Sequence, residues 1–536
     1  MGTVATRKDQ LDAFNFARRR TVANLVVPTP TGSDEGAPRP VRTFASSIIL
    51  SAIAVAAVAV LGVFKPSAPS GWQNGLAVDS STGAAYIDRS NELHAVYNIT
   101  SARLILGTNF AKYDVPDSTL NGSGVTIGSP VGILGAPEDV PSASNMTLTQ
   151  WSFCQHETSA TDDTVAGGPT YLEIGYAPVA STTGGLWTSS SEAQSQGSNT
   201  ALIVHDSQQN VYLIDGDYKY LIGNNGSDPT DVQNLLVAIN QNHGFVAGAD
   251  TGFWVSDAWL GAFQSGMQIT YPQLNETLGG SVTGSNQPGD QVGEYGENSS
   301  GTGGVVQTAN GVVQLSPFAY NLYAADKNLS EDKIKQFTTP LNQSAINNAN
   351  TSGAPSASSA LTSDSYGANW PTVAPVLVGT DTTEANTQNI CVGFDGSWNG
   401  GVPQLTTWTS AQLPYGSAGG QFGLTQTSVN NEATTVVVKP GSGLLAQRSS
   451  SGTGTGAEFL IEDSGYRYAL ATDAASSDSS SSTSSSGSGS AGASAQDLLG
   501  YKSVKSEPVP ANWVNLIQGG ATLDPDQAGL TPETGN

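Results

Sequence analysis

The residues in this chain that could make or break covalent bonds are few and scattered. The 536-residue sequence holds two cysteines, Cys154 and Cys391, and four histidines, His94, His156, His205 and His243. Two cysteines so far apart do not supply the close donor set of a zinc site. They form either a disulfide or two separate buried thiols, and the compartment bears on which. Each histidine stands alone and reads as a turn or surface residue. Adjacent carboxylates such as Asp162-Asp163 could serve paired acid–base chemistry of the glycosidase kind, but they lie in polar loops where solvation explains them. No Gly-Lys dipeptide occurs, which excludes a Walker A phosphate cradle, and G-x-S-x-G, H-E-x-x-H and C-x-x-C are absent too. No catalytic, cofactor or metal constellation can be assembled, so the chain is expected not to be an enzyme.

The elements that carry these residues are β-rich. Charged residues make up only 12% of the chain and Gly numbers 62, which favours short strands and turns over long helices. The net charge of -25 is uneven. Residues 1–42 hold seven basic and four acidic groups, a net +3, which leaves -28 for the rest. Such an acidic bulk repels nucleic acid and anionic lipid, so nucleic-acid binding by the main domain is not expected.

Between Arg42 and Lys65 lie 22 residues, 43–64, without a charge. As a helix they would be roughly 33 Å long, about the thickness of a bilayer's hydrocarbon core. A signal peptide would need a shorter apolar stretch nearer the N-terminus, so the reading is an uncleaved single-pass anchor. Arg39 and Arg42, with Arg18, Arg19 and Arg20 behind them, place the N-terminus in the cytoplasm and residues 65–536 outside. Both cysteines then fall in the exported part, where a disulfide persists.

In the tail, Thr6-Arg7-Lys8-Asp9 reads as a capping-box-like helix start, and Leu11, Phe14, Val22 and Leu25 recur at helical spacing. This amphipathic helix, over about residues 7–27, has no domain of its own to cover it. It must lie on the membrane or dock on a partner.

Four segments of the exported part share a strand–turn–strand–helix design. The first runs through Leu76–Val78, Tyr86-Ile87 and a helix at 101–106. The second runs through 201–204, 211–214 and a helix at 230–239. The hairpins of the third and fourth align without gaps, 305–312 against 459–466, with Gly311 and Gly465 expected where a hairpin needs positive φ. Their helices would follow at 317–325 and 495–499. The Ser-rich stretch around 474–494 is expected to be a disordered loop. One cysteine falls between the first and second segments, the other between the third and fourth. The fold class is therefore α+β and β-rich, with four hairpin–helix repeats around a central β domain and pseudo-two-fold symmetry. The expected segments are 65–120, 121–195, 196–250, 251–300, 301–345, 346–450, 451–515 and a C-terminal tail at 516–536.

Several stretches resemble the EccB family of type VII secretion core proteins. They are Thr6-Arg7-Lys8-Asp9-Gln10-Leu11, Arg18-Arg19-Arg20, Trp72-Gln73-Asn74-Gly75, Thr82-Gly83-Ala84-Ala85-Tyr86 and Leu93-His94-Ala95-Val96. Asn98 to Gly107, Trp151-Ser152-Phe153-Cys154 and Gly519 to Pro525 continue the likeness over nearly the whole chain. The Ser-rich insert and the polar stretch around 347–363 stand out as additions. The resemblance implies a non-enzymatic scaffold of an actinobacterial inner-membrane translocon, working with the FtsK-like ATPase EccC and with EccD and EccE, and self-associating through its exported domain. It also implies a disulfide between Cys154 and Cys391. It further implies a tail helix that meets partner subunits through Leu11, Phe14, Arg18, Arg19, Arg20, Val22 and Leu25. The competing expectation is a membrane-tethered envelope enzyme, a nucleotide or cell-wall hydrolase.

Overall fold

The computed structural model describes residues 6–26, 47–53, 55, 68–122, 124–156, 169–176, 187–189, 200–224, 229–239, 252–284, 286–350, 357–362, 369–378, 389–410, 413–414, 424–425, 435–471 and 494–532. Residues 47–53 are helical, but most of the expected anchor lies outside the described residues. Among the described residues no helix is long and apolar enough to cross a membrane. The expected Ser-rich loop also lies outside them, apart from Ser494.

The described body is mixed α+β and sheet-rich, with four small sheets and one of seven strands. In the first small sheet, Leu76–Asp79, Ala85–Arg89 and Glu92–Ala95 form an antiparallel meander. Helix Ile99–Leu106 follows and packs Ala102 against Leu76, Ile87 and Val96, and Lys112–Val115 then returns parallel to the first strand. The second sheet repeats this order with Thr200–His205, Val211–Asp215, Tyr218–Leu221, helix Pro229–Ile239 and Phe253–Trp254. So does the fourth, with Gly443–Ser449, Glu458–Glu462, Arg467–Ala469, helix Ala495–Leu498 and Glu507–Pro510. In the third, Tyr295–Glu297, Gly304–Thr308 and Gly311–Leu315 precede helix Pro317–Ala324, and Gln336 and Leu341 bridge back in parallel to Tyr295 and Asn298. The strands Tyr295–Glu297 and Gly443–Ser449 start before the segment boundaries expected at 301 and 451. The gap-free hairpin match, 305–312 against 459–466, covers the second strand and the turn after it, so the first strands fall before it.

Local chemistry explains the recurrence. At the end of the first strand of each sheet, or one residue beyond it, a side chain accepts a nearby backbone amide: Asp79 from Ser81, Asp206 from Gln208, Asn298 from Thr302 and Ser449 from Ser451. That bond turns the chain into the second strand. Three crossover helices start at capping residues, with Asn98 accepting from Ser101, Ser316 from Ala319 and Ser494 from Asp497.

The edge of the third strand is closed in the same register in three sheets. Gly128 donates to Leu93, Gly266 to Lys219 and Gly520 to Arg467, and three residues on Val131, Ile269 and Leu523 donate to Ala95, Leu221 and Ala469. A Cβ on those glycines would meet the rings of His94, Tyr220 and Tyr468 at 2.3, 2.2 and 2.5 Å, so only glycine fits. The third sheet departs from this. Asn350 donates through Nδ2 to the carbonyl of Val312 and accepts its amide through Oδ1, at 2.9 and 2.8 Å. Gly311 lies in extended backbone, unlike Gly465 at φ 80°; it is small because a Cβ there would meet Asn350 Oδ1 at 2.5 Å. The polar stretch expected as an addition thus supplies Asn350, which closes this edge.

The seven-stranded sheet is ordered Leu424–Thr425, Thr435–Val438, Thr170–Ile174, Trp151–His156, Asn389–Asn399, Val402–Ser410, Trp187–Ser189. Early and late strands are interleaved in it as pairs, with one early strand at the edge. Thr435–Val438 pairs with Thr170–Ile174, and Trp187–Ser189 with Val402–Ser410. Outside this sheet, Val376–Val378 pairs with Thr200–His205, and Met146 bridges to Gly443.

Three large cores follow. One joins the first and fourth sheets through Leu104, Ile133, Leu460, Tyr501 and Leu523. Another joins the second and third through Leu213, Leu235, Val306, Phe318 and Leu322. The largest lies between the central sheet and the second and fourth.

Candidate functional site

Two regions emerge as candidates: the joint at the central sheet, and the tail helix. At the joint, Trp151–His156 and Asn389–Asn399 run antiparallel in a register that puts Cys154 directly opposite Cys391. The two are bonded, with Cα atoms 4.0 Å apart, and both are fully buried. Trp408, the neighbour of Cys391 on the next strand, packs against them. Alternation along each strand sends Trp151, Phe153, Val392 and Phe394 to the opposite face, where they belong to the largest core.

That face receives two short helices. Asp257–Gly261 follows Phe253–Trp254, and Ala511–Asn515 follows Glu507–Pro510, at the same place in the second and fourth sheets. Each carries a fully buried tryptophan, Trp259 or Trp513. Trp513 meets Trp151 edge to face at 6.3 Å and Phe394 at 6.0 Å. The helices also touch each other. Trp513 Nε1 donates to the carbonyl of Ala262 at 2.9 Å, and Asn512 Nδ2 donates to those of Gly261 and Ala262 at 2.7 and 2.8 Å. In the first and third sheets the equivalent helices, Asp117–Leu120 and Gln343–Ala349, cover only their own sheet, through Leu120 and through Ile346 and Ala349.

The charged groups near the joint hold backbone and neutral side chains of neighbouring elements. Asp217 accepts from the Leu405 amide at 2.6 Å and from Gln404 Nε2 at 3.1 Å, tying the turn of the second sheet to the central strand. Burial pushes its carboxyl up to about 6, against the pull of those two bonds. Lys219 Nζ donates to the Leu260 carbonyl at 2.8 Å, and burial lowers its pKa while Asp257 and Asp206 oppose the shift. At the matching place in the fourth sheet, Arg467 donates to Asn515 Oδ1 at 3.1 Å and lies over the Phe459 ring. Glu462 is pushed up to about 7, chiefly by burial, while it accepts the Ser464 amide at 2.9 Å. These groups lock turns and helix ends to their neighbours. Glu462 also meets the neighbouring Asp463 carboxyl, which adds to the upward shift.

The histidines correct the sequence reading in part. His205 is buried and stacked on Trp254 at 5.0 Å, because it ends a strand that is covered on both sides. His94 is partly buried, with Nδ1 2.7 Å from the Ser129 carbonyl. Side-chain surroundings of His156, and all of His243, lie outside the described residues, as does the Asp162-Asp163 pair. Among the described residues no group of three His, Cys, Asp or Glu side chains could hold a metal ion.

The tail forms one helix, Arg7–Val26. Thr6 and Asp9 cap it reciprocally: the Thr6 amide and hydroxyl donate to the Asp9 carboxylate at 3.0 and 2.6 Å, and the Asp9 amide donates back to the hydroxyl. Those bonds from Thr6 hold the Asp9 carboxyl below its usual range. Leu11, Phe14, Val22 and Leu25 share a stripe about 80° wide, with Arg18 inside it and Arg19 and Arg20 off it. Phe16 points roughly the opposite way, so the helix is apolar on two sides and not simply amphipathic. All five apolar side chains are more than half exposed, Leu25 at 86%.

Sequence reasoning missed Trp259, Trp513 and Asn512. The signal was present: Trp259-Leu260 with Phe263, and Trp513-Val514 with Ile517, have the same spacing after short strands. Comparing the chain with itself there would have exposed it.

Comparison with known proteins places this architecture. The family model described as "Type VII secretion system ESX-1, transport TM domain B" matches residues 3–534. Over 154 residues the chain is 34% identical to the "ESX-1 secretion system ATPase EccB1" of Mycobacterium tuberculosis, covering 29% of this chain and 31% of that one. It is 28% identical over 152 residues to the "ESX-3 secretion system ATPase EccB3" of the same species, 27% of each chain. The chain thus aligns with about a third or less of the length of these curated relatives. In fold it is similar to a chain of an intact ESX-5 inner membrane complex, with TM-score 0.59, 17% identity and coverage of 100% of this chain and 97% of that one. It is similar likewise to the EccB3 dimer of the ESX-3 core complex, with TM-score 0.57, 18% identity and coverage of 85% and 100%. A match from residue 3 to residue 534 leaves almost nothing of the chain unaccounted for, and the chain belongs to the EccB family of type VII secretion systems.

Proposed function

We propose that this chain is a structural subunit of a type VII secretion complex. It crosses the plasma membrane once through residues 43–64, with residues 1–42 in the cytoplasm and the body outside. The observation that carries the reading is the joint. Its most deeply buried side chains bind one sheet to another, and Asp217 and Lys219 tie turns and helix ends across elements, which is the chemistry of a scaffold. The body is then four related units, beginning near residues 65, 196, 295 and 443. They are set around a central domain with a pseudo-two-fold axis near the Cys154–Cys391 bond, and the body associates with further copies of itself.

The tail helix engages a protein and not a lipid plane. A helix lying in a bilayer surface buries one stripe, whereas here Phe16 opposes Leu11, Phe14, Val22 and Leu25, and Arg18 would be drawn into the apolar side. A groove with an acidic residue facing Arg18 satisfies both sides, and the cytoplasmic parts of EccC, EccD or EccE are the partners in view. Extraction in mild detergent should bring down an FtsK-like ATPase with the full chain. Arg18→Glu together with Phe14→Ser should lose it while the body stays folded. Purification of the wild-type chain alone under those conditions would count against the proposal.

A second reading is kept because the relatives carry the word ATPase in their names. It requires nucleotide turnover by the purified chain, abolished by a single carboxylate substitution. The sequence offers no Walker A loop for that turnover, so the scaffold reading is preferred.

A further inference from the structure

The first unit has two faces, and they differ in what they show to solvent. One packs under helix Ile99–Leu106. The other holds Ala77, Leu93, Val115 and Leu120, and against these lie Ala68, Trp72, Tyr86, Tyr113 and Val125, all only partly buried. Ile127 extends this second face. It stands opposite Leu93 in parallel register and is 61% exposed. Alternation sends Lys112 and Asp114, which flank Tyr113, to the other side. The face therefore offers one tryptophan, two tyrosines and an isoleucine, with Asp88 as its partly exposed carboxylate.

From this geometry we infer that the face bearing Trp72, Tyr86, Tyr113 and Ile127 rests on the outer surface of the bilayer, in contact with lipid headgroups. The inference depends on the single-pass anchor proposed above. If the span ends at Phe64, only three residues separate it from Ala68, which is already packed into this face. The four steps from Phe64 to Ala68 reach at most about 14 Å, and the headgroup layer itself is about 5–8 Å deep. Ala68 is therefore held within about 10 Å of the headgroups' outer limit, so the first unit sits beside the membrane surface. The composition of the face suits that place: aromatic side chains with an apolar body and a polar tip favour the membrane–water boundary. The rest of the body is strongly acidic and would be repelled by anionic lipid, so a nearly uncharged face is the one that can approach.

The test uses the full chain reconstituted into phosphatidylcholine vesicles whose acyl chains carry bromine close to the headgroup, a short-range quencher of tryptophan. The emission of Trp72 is the difference between the wild-type chain and Trp72→Phe. We expect this component to be lost in brominated vesicles and kept in ordinary ones, with the emission of the buried tryptophans unchanged. Ile127→Glu, at an exposed position the fold does not need, should restore much of the lost emission. Resistance to alkaline carbonate extraction is measured alongside. A chain that stays in the membrane while Trp72 remains unquenched would overturn the inference, leave the anchor standing and give this face to a protein partner. Unaltered quenching in Ile127→Glu would also overturn it. Release by carbonate would overturn the anchor and the inference together.

Discussion

Replacing both cysteines by alanine tests how the two halves of the chain are held together. The bond joins residues 237 positions apart. The chain-entropy treatment of so long a loop gives about 5 kcal/mol of stabilisation, nearly all from restricting the unfolded chain. The folded state should barely notice the loss. Six cross-strand pairs from Asn389↔His156 to Phe394↔Trp151 keep the same strands in register, and Thr435–Val438 on Thr170–Ile174 ties the halves again. Cys154→Ala with Cys391→Ala should therefore keep the native near-ultraviolet circular dichroism of the buried tryptophans. For a body of this size, an unfolding entropy of about 2 cal/mol/K per residue turns the loss into a Tm about 5 °C lower. Urea unfolding and calorimetry of the full chain in detergent would read both. A variant that melts within about 1 °C of the wild type would refute the loop-entropy reasoning. One that is unfolded at 25 °C would show that the strands do not hold without the bond.

Other outcomes follow from the joint and from the strand edges. Trp513→Ala should cost about 3–5 kcal/mol in urea unfolding, as large core truncations do, and more than Trp259→Ala, because it also removes a buried hydrogen bond to the Ala262 carbonyl and leaves Asn512 as the donor there. Gly266→Ala or Gly520→Ala should cost about 1–3 kcal/mol through overpacking against Tyr220 or Tyr468, measurable by the same assay. Asp217 has a folded pKa of about 6, above its unfolded value, so its contribution is fully present below pH ~4 and is lost as pH rises through 6. Asp217→Asn should flatten the stability profile across that window, and Glu462→Gln should flatten it from about 4.5 to 7. Denaturation midpoints measured from pH 4 to 8 would show it.

What could be read from the sequence, and what could not, divides by the range of the interaction. Hairpins and crossover helices were legible because alternation, turn residues and caps act within a few positions, as at Asp79 and Asn98. The tail helix was legible through Thr6 and Asp9 for the same reason. First strands as short as Tyr295–Glu297 were not, since three residues carry no period. Gly311 was given the wrong reason because its constraint, Asn350, lies some forty residues away. The buried state of His205 depends on strands from three parts of the chain. The joint itself was half visible. The positions of the cysteines hinted at it, but the tryptophan helices that fill its other face could be placed only once the strands had met.

The interleaving of early and late strands also sets a timetable for the growing chain. A polypeptide emerges N-terminus first, and Trp151–His156 must wait through more than two hundred residues for Asn389–Asn399 to cover its edge. Thr170–Ile174 waits longer for Thr435–Val438, and Met146 waits for Gly443. Apolar ribbons left open for that long invite the wrong neighbours. The nascent body is therefore most vulnerable in the interval before its last hundred residues arrive, and a chaperone that shields those ribbons would have its greatest effect there.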